Sequence, residues 1–223
     1  MKKREYQVMC PRCGSKDTAE ILYGMPAYSE IKDEIEAGKI VLGGCEIFTV
    51  PTERGDVQYQ PERVCNKCGK KFGAPPLVFS KDRSFAEDYR DIVTGIGFSI
   101  GCGLSGYTTI RIRKNEKGAR VRVDNDLSPS RSPYGDPKEL NEEPQFQQIT
   151  TKEWKSILDE LYCGMHLHEW KRHYETPGVC DGTYWTPRIT LTGKRVRVYT
   201  GSNAYPPYWD QLLKIFYRFS KEL

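Results

Sequence analysis

Two cysteine doublets constrain this chain more than any other feature of its sequence. Cys10-Pro-Arg-Cys13-Gly and Cys65-Asn-Lys-Cys68-Gly share a C-x2-C-G pattern and are separated by 51 residues. Two thiolates at this spacing can reach one metal ion from a tight turn, and a second doublet completes a tetrahedral site. The doublets therefore predict one structural Zn²⁺ held by Cys10, Cys13, Cys65 and Cys68, with no open position for a water molecule.

The alternative is a disulfide within each doublet. The start of the chain, Met1-Lys-Lys-Arg-Glu5, leads into no apolar run, so no secretory signal peptide is expected. A cytoplasmic protein keeps its thiols reduced, and this predicted location favours zinc.

Composition narrows the class of protein without naming a partner. The chain has 223 residues, of which 38% are hydrophobic, and no apolar run of 18 residues that would predict a membrane span. Its 34 basic and 30 acidic residues give a net charge of +4. The hydrophobic content predicts a soluble globular protein, and the charge balance does not single out nucleic acid as the partner.

The stretch between the doublets is longer than a minimal zinc-binding ribbon needs. Residues 18–23 and 39–42 have strand character, and Ile31 and Ile35 lie four apart on one face of a helix predicted over residues 28–37. The sequence therefore predicts a helix and two strands inserted between the doublets, followed by a polar stretch over residues 49–63.

Several motifs in this region occur together in a known type of module. Beside the two doublets, the chain carries Tyr23-Gly-Met-Pro26 and Leu42-Gly-Gly-Cys45. Over about residues 8 to 74 the chain resembles a zinc-ribbon module of bacterial proteins that have no assigned activity. The resemblance implies a fold and a metal, without a reaction. Cys45 is interpreted as a packed small residue, and a metal or redox role is the alternative.

Ala74-Pro75-Pro76 predicts a domain boundary. We expect a zinc-ribbon domain over residues 1–76 and an α+β domain over residues 77–223. The fold class is α+β, in which the ribbon with its inserted helix is followed by an antiparallel sheet packed by two or three helices.

Gly101-Cys-Gly103-Leu-Ser-Gly106 matches the G-x-G-x-x-G pattern of dinucleotide-binding loops. Such a loop must be followed by a helix. Here residues 107–113 alternate like a strand, so the glycines are interpreted as a strained hairpin or bulge, with phosphate binding as the alternative.

Three segments alternate arginine with aliphatic residues, which is the pattern of a strand with one polar face. If the three strands share a sheet, six arginines lie on one face: Arg111, Arg113, Arg120, Arg122, Arg195 and Arg197. A solvated outer face is one interpretation. A platform for nucleic acid, another anion or an acidic partner is the other.

The region 127–148 is rich in proline, serine and acidic residues and predicts a mobile loop. Thr150-Thr-Lys-Glu153 then has the capping-box pattern. Trp154, Ile157, Leu158 and Leu161 follow at helical spacing. A helix is predicted here, and a last helix near Pro206-Pro207.

All three histidines lie near two cysteines, and the group comprises Cys163, His166, His168, His173 and Cys180. Their irregular spacing matches no common ligand pattern. Packing is the preferred interpretation, and a second metal site or acid-base catalysis is the alternative.

Trp170-x3-Tyr174, Asp181-Gly-Thr-x-Trp185 and Gly201-Ser-Asn-Ala-Tyr-Pro206 resemble a second bacterial domain, over roughly residues 92 to 220, again without an assigned activity. A candidate site could form from Asp181, Trp185, Asn203 and Tyr205. Turn, cap and core roles explain the same residue types equally well.

The sequence leads to three functional hypotheses. The first is a non-enzymatic zinc-binding adaptor that binds a protein partner through the α+β domain. The second is an RNA- or DNA-binding protein that uses the six predicted arginines together with the zinc ribbon. An enzyme is the weakest, because no nucleophile, base and oxyanion donor can be named together. The oligomeric state is not predicted.

Overall fold

A computed structural model describes residues 8–45, 47–102, 106–126, 145–179 and 182–220. The chain forms two compact units. The first consists of the chain up to Asp91 together with Glu160–Trp170, and the second of Ile92–Asp159 and the chain from Lys171 onward. The compact unit that contains the cysteine doublets therefore also includes residues 77–91 and 160–170. The sequence predicts a domain boundary earlier, at residue 76.

The described residues of the first unit form eight short strands and two helices. In chain order they are β1 (Thr18–Tyr23), α1 (Tyr28–Glu36), β2 (Ile40–Gly44), β3 (Thr49–Thr52), β4 (Gly55–Gln58), β5 (Arg63–Cys65), β6 (Lys71–Phe72), β7 (Leu77–Phe79), β8 (Ala86–Asp88) and α2 (Tyr89–Ile92), whose last residue begins the second unit. A π-helical turn (Glu160–Gly164) and a 3-10 turn (Leu167–Glu169) complete this unit.

One four-stranded sheet, in the order β2-β1-β5-β6, joins the inserted elements to the second doublet. β1 is parallel to β2 and antiparallel to β5. A parallel pair needs a crossover connection, and α1 provides it. The inserted helix and its two flanking strands are confirmed. Ile31 and Ile35 are only half-buried, and α1 contributes no fully buried residue.

The polar stretch after β2 is more ordered than its composition suggests. β3 and β4 form a hairpin, and Val50 of β3 is buried with Leu77 and Ala86 of the β7–β8 hairpin. A small apolar cluster therefore forms in the first unit apart from the cysteines.

The second unit is built on one large sheet. Its elements are β9 (Val93–Cys102), β10 (Gly106–Asn115), β11 (Gly118–Asp126), β12 (Gln145–Thr150), α3 (Thr151–Asp159), β13 (His173–Glu175), β14 (Tyr184–Leu191), a 3-10 turn (Thr192–Lys194), β15 (Val196–Val198), β16 (Thr200–Ser202) and α4 (Trp209–Phe216). The strand order is β12-β11-β10-β9-β14-β16-β13, and β15 also pairs with β14. All of these pairs are antiparallel except β13 with β16. The mixed α+β class with antiparallel sheets is confirmed.

Alternation along these strands separates a buried face from an outer face. Ile96 of β9 pairs with Ile112 of β10, and both side chains are buried. The buried face meets α4, where the rings of Phe98 and Phe216 stack with centroids 4.4 Å apart. Residues that pair directly across strands share a face, so the register fixes which side chains point outward.

The structure also bears on the predicted loops. Residues 127–144 lie outside the described residues, but 145–148 belong to β12, which corrects the end of the predicted loop. Their backbone pairs with β11, and this pairing forms a strand where the polar composition predicts a loop. In the glycine motif, Gly103 to Ser105 lie outside the described residues. The strand β10 follows, so the helix of a dinucleotide-binding loop is absent after Gly106.

Within the described ranges, every helix is too short or too polar to cross a lipid bilayer.

Candidate metal centre and arginine face

The four doublet cysteines converge at one point in the first unit. Their Sγ atoms all lie within 4.8 Å of one another. Cys10 Sγ is 3.7 Å from Cys68 Sγ, and Cys13 Sγ is 3.6 Å from Cys65 Sγ. A tetrahedral zinc ion with Zn–S bonds of about 2.3 Å requires sulfur–sulfur separations of about 3.8 Å. The spacing of the four thiols therefore fits a single metal ion of this size.

Both doublets adopt the same backbone turn. The Gly14 amide donates to the Cys10 carbonyl at 2.9 Å, and the Gly69 amide donates to the Cys65 carbonyl at 2.8 Å. The two glycines have φ values of +72° and +71°, in the left-handed region that glycine adopts without strain. The residue after each second cysteine thus allows the chain to curl around the sulfur atoms.

The protein environment shifts the pKa values of the Cys10 and Cys68 thiols in opposite directions. Burial raises the pKa of the Cys10 thiol to about 12. The backbone N–H of Lys70 lowers the pKa of Cys68 to about 7. Because metal ligands must be thiolates, a metal ion has to displace a proton from the buried cysteine.

A four-cysteine centre limits the chemistry of a bound ion. Four protein ligands fill a tetrahedral coordination sphere, so a bound zinc ion has no open position at which to activate water or substrate. None of the described cysteines forms a disulfide.

The chain segment Glu160–Trp170 braces the second doublet from within the same unit. The Glu169 carboxylate accepts a hydrogen bond from the Gly73 amide at 2.8 Å and pairs with Lys70 Nζ at 3.1 Å. The ring of His166 contacts Phe72 edge-on at 5.7 Å. Sequence reasoning missed this bracing, because no local pattern connects residues that are 96 positions apart.

The histidine and cysteine cluster is divided between the units. Cys163, His166 and His168 belong to the first unit, and burial lowers the pKa of His166. His173 is an exposed residue of β13 in the second unit, where Thr200 and Glu175 are its partners. Cys180 lies outside the described residues. The described part of the chain brings together only the four doublet cysteines as a metal-binding group, and exposed Cys45 is not part of it.

Two rows of paired residues build an arginine face on the large sheet of the second unit. In one row Gly95 of β9 pairs with Arg113 of β10, which pairs with Arg120 of β11. In the next row, the corresponding residues are Gly97, Arg111 and Arg122. These four arginines are all exposed, so the expectation that β10 and β11 place them on one face is met.

The register corrects the expectation for the other two arginines. Arg197 of β15 pairs with Ile189 of β14, a residue of the buried face, and Arg195 precedes the strand. The outward residue of β15 in the arginine row is Val198, opposite Arg188. An alternating pattern shows that a strand has two faces, but only the register with its neighbours decides which face points outward.

Arg188 of β14 is a member of the face that sequence reasoning missed. It pairs with Gly97 of β9 and is exposed. The alternation of Thr186, Arg188 and Thr190 was the available signal. We define the arginine face as Arg111, Arg113, Arg120, Arg122 and Arg188.

One carboxylate lies among these arginines. Asp124 pairs with Arg111, and its Oδ1 accepts a hydrogen bond from Arg122 Nε at 2.7 Å. Among the described residues no carboxylate pairs with Arg113 or Arg188. The guanidinium of Arg120 instead lies 4.3 Å from the centroid of the Phe146 ring. The face therefore keeps a strong positive charge.

The second candidate site has structural contacts at most of its residues. Trp185 is buried and its indole N–H donates to the Ala204 carbonyl at 2.9 Å. The Asn203 side chain accepts a hydrogen bond from the Thr183 amide at 3.0 Å. Tyr205 is 45% exposed and packs on Trp209, and Asp181 lies outside the described residues.

Comparison with known proteins adds no assignment to this geometry. No family model, no curated protein and no solved structure matches the chain.

Proposed function

We propose that this protein is a non-enzymatic binding protein, stabilised by one zinc ion in a ribbon, that binds an anionic macromolecule on the arginine face. The observation that supports this proposal is the gathering of five arginines around one carboxylate among the described residues, in a chain whose overall charge is nearly balanced. Such a surface attracts polyanions and raises their rate of association.

The zinc ion has a structural role in this proposal. The sulfur–sulfur distances support zinc as the ion, and full coordination leaves it no part in a chemical step. The reduced thiols that it needs agree with a cytoplasmic location and with the bacterial zinc-ribbon resemblance, both of which remain part of the proposal.

The residues beside the arginines support binding rather than catalysis. From Gly95 to Gly101, Tyr107 to Arg113 and Tyr184 to Thr190, the outward positions hold glycine, serine, threonine, tyrosine and arginine. Ser99 and Thr109 share a hydrogen bond of 3.0 Å between their hydroxyl groups. These side chains supply positive charge and hydroxyl groups, and none of them is a histidine or a carboxylate that could act as a general base. Asp124, the carboxylate that lies beside them, is paired with Arg111 and Arg122.

Heparin is a suitable general polyanion for the first test. The variant Arg113→Gln/Arg188→Gln removes two charges from the face, and Lys152→Gln/Lys155→Gln removes two exposed charges from α3 in the same unit. We expect the arginine variant to bind heparin more weakly. The slope of the logarithm of the binding constant against the logarithm of the salt concentration should become less steep by about 2, because roughly one unit of slope is lost with each arginine contact. The lysine variant should bind like the wild type.

Equal losses in both variants would mean that only total charge matters and would contradict the proposal. Failure of the wild-type protein to bind heparin would also contradict the proposal. In that case affinity capture with and without nuclease would test the protein-partner hypothesis, because a protein adaptor keeps its partner after nuclease treatment.

A further inference from the structure

The central strand of the arginine face forms a floor that is nearly free of side chains. The outward positions of β9 are Gly95, Gly97, Ser99 and Gly101. The neighbouring strands β10 and β14 carry full-sized side chains on the same face, so a groove of about 530 Å³ runs along β9. Its walls stand two strand spacings apart, or about 10 Å.

The fold does not require glycine at position 97. Gly97 does not have a positive φ, unlike the glycines of the cysteine turns. A Cβ atom there would meet only Arg188, at 3.6 Å from its Cβ, which is an ordinary van der Waals contact. Glycine weakens the interior of a strand and often marks a place where a ligand approaches closely. Gly101 differs, because a Cβ there would lie 2.1 Å from the Gly106 carbonyl oxygen.

The walls of the groove change in chemistry along its length. Arg111 and Arg188 stand on either side of Gly97. Hydroxyl groups of Ser99, Thr109 and Thr186 line the middle. Beyond the residues that line the groove, Tyr107 and Tyr184 lie on either side of β9, and each pairs with Gly101. Guanidinium groups bind phosphates, and aromatic rings stack on bases, so this combination suits nucleotides better than it suits carboxylates alone.

We propose that the groove binds single-stranded nucleic acid along β9, with phosphates at the arginines and bases over the glycine floor. This inference rests on the proposed function, because it identifies the anionic macromolecule as a nucleic acid. A groove about 10 Å wide admits one strand. A duplex is too wide to reach the floor and would meet only the rim.

Gly97→Val tests the groove separately from the charge, because it fills the floor and leaves every arginine in place. The control is Gln145→Val, which puts the same side chain on the edge strand β12. Fluorescence anisotropy would measure the binding of a labelled 15-nucleotide RNA, of the same RNA annealed to its complement, and of labelled heparin. Thermal unfolding would confirm that both variants are folded.

We expect Gly97→Val to weaken single-strand binding at least tenfold and to change heparin binding less than twofold. Gln145→Val should match the wild type, and the wild type should bind the duplex at least tenfold more weakly than the single strand. Gly97→Ala adds only one methyl group and should give an intermediate loss, which keeps the test valid if the valine variant is unstable.

Unchanged single-strand binding in both glycine variants would overturn the groove, as would equal affinity for duplex and single strand. Displacement of the RNA by an equal concentration of a mononucleotide would show that the groove takes a free nucleotide and would also overturn it. These results differ from a failure of the proposed function, in which the wild type does not bind heparin.

Discussion

Cys10 and Cys68 are ligands of one candidate centre in two different environments. The pKa of Cys10 is raised to about 12 by burial, and that of Cys68 is lowered to about 7 by the Lys70 amide. Protons compete with zinc for both sulfur atoms, so the affinity for zinc should fall as the pH falls. The half-buried Cys68 gives an incoming ion a partly ionised thiol at neutral pH, and the buried Cys10 loses its proton to the metal.

Substitution of Cys68 should remove zinc from the protein. Cys68→Ser leaves three sulfur ligands, so we expect less than one zinc ion per chain after dialysis, measured by elemental analysis. Cys45→Ser is the matched control, because Cys45 is exposed and lies outside the four-cysteine group. Loss of zinc from the Cys45 variant would instead place that thiol at the centre.

At the level of single residues, sequence patterns found the metal ligands but not all of their surroundings. The doublets can be recognised in the sequence, because each turn contains two of the four ligands only three positions apart. Glu169 has no such signal, since it reaches Lys70 and Gly73 only through tertiary folding. Arg188 was overlooked because its neighbours on the face belong to other strands.

Among the elements, α3 shows how local chemistry specifies a boundary. The Thr150 amide donates to Glu153 Oε2 at 2.8 Å, and the Glu153 amide donates to Thr150 Oγ1 at 3.2 Å. This is the predicted capping box, and it is confirmed. The buried residues Trp154, Ile157 and Leu158 follow at the predicted positions.

Thr150→Ala should destabilise the protein by about 1 kcal/mol, because the cap of α3 loses its side-chain acceptor. The backbone N–H of Thr150, followed by its hydroxyl, lowers the pKa of Glu153. A lowered pKa means that this carboxylate stabilises the fold above its usual pKa near 4.5 and loses that effect as the pH falls through the lower value.

Urea unfolding at several pH values would measure both effects. The difference between wild type and Glu153→Gln should be present at pH 7 and disappear at acidic pH. Lys152→Ala changes an exposed neighbour on the same helix and is the control. A difference that is the same at every pH would show that the charge of Glu153 is not involved.

The elements that sequence reasoning placed wrongly depend on pairing. β15 alternates arginine and valine as β10 and β11 alternate arginine and aliphatic residues, yet its register turns Arg197 toward the row of Ile189. Residues 145–148 were assigned to a loop because of their polarity, and pairing with β11 makes them a strand. Periodicity is local, whereas register is set by other parts of the chain.

For the molecule as a whole, the proposed zinc ion is a cross-link between distant parts of the chain. Cys13 and Cys65 are 52 positions apart. Closing a loop of this length removes about 4 kcal/mol of chain entropy from the unfolded state, by the relation used for disulfides. Much of the stability of the cysteine-bearing region should therefore depend on the metal.

Removal of zinc by a chelator should unfold residues 8 to 74 and leave the sheet of the second unit folded. Backbone NMR spectra recorded with and without chelator would show which signals lose dispersion, and added zinc should restore them. The second unit carries its own buried core, including Ile96, Ile112 and Phe216. If both units unfold together, the boundary predicted at residue 76 does not separate independent domains.

The glycine floor of β9 has a consequence for how this protein can change over time. A β-branched residue at position 97 would suit a central strand and would restrict the unfolded chain more than glycine does. The proposed groove needs that position empty. Selection for heat resistance and selection for binding would therefore favour different residues at position 97. Thermostable variants of this sheet should be tested first for loss of binding.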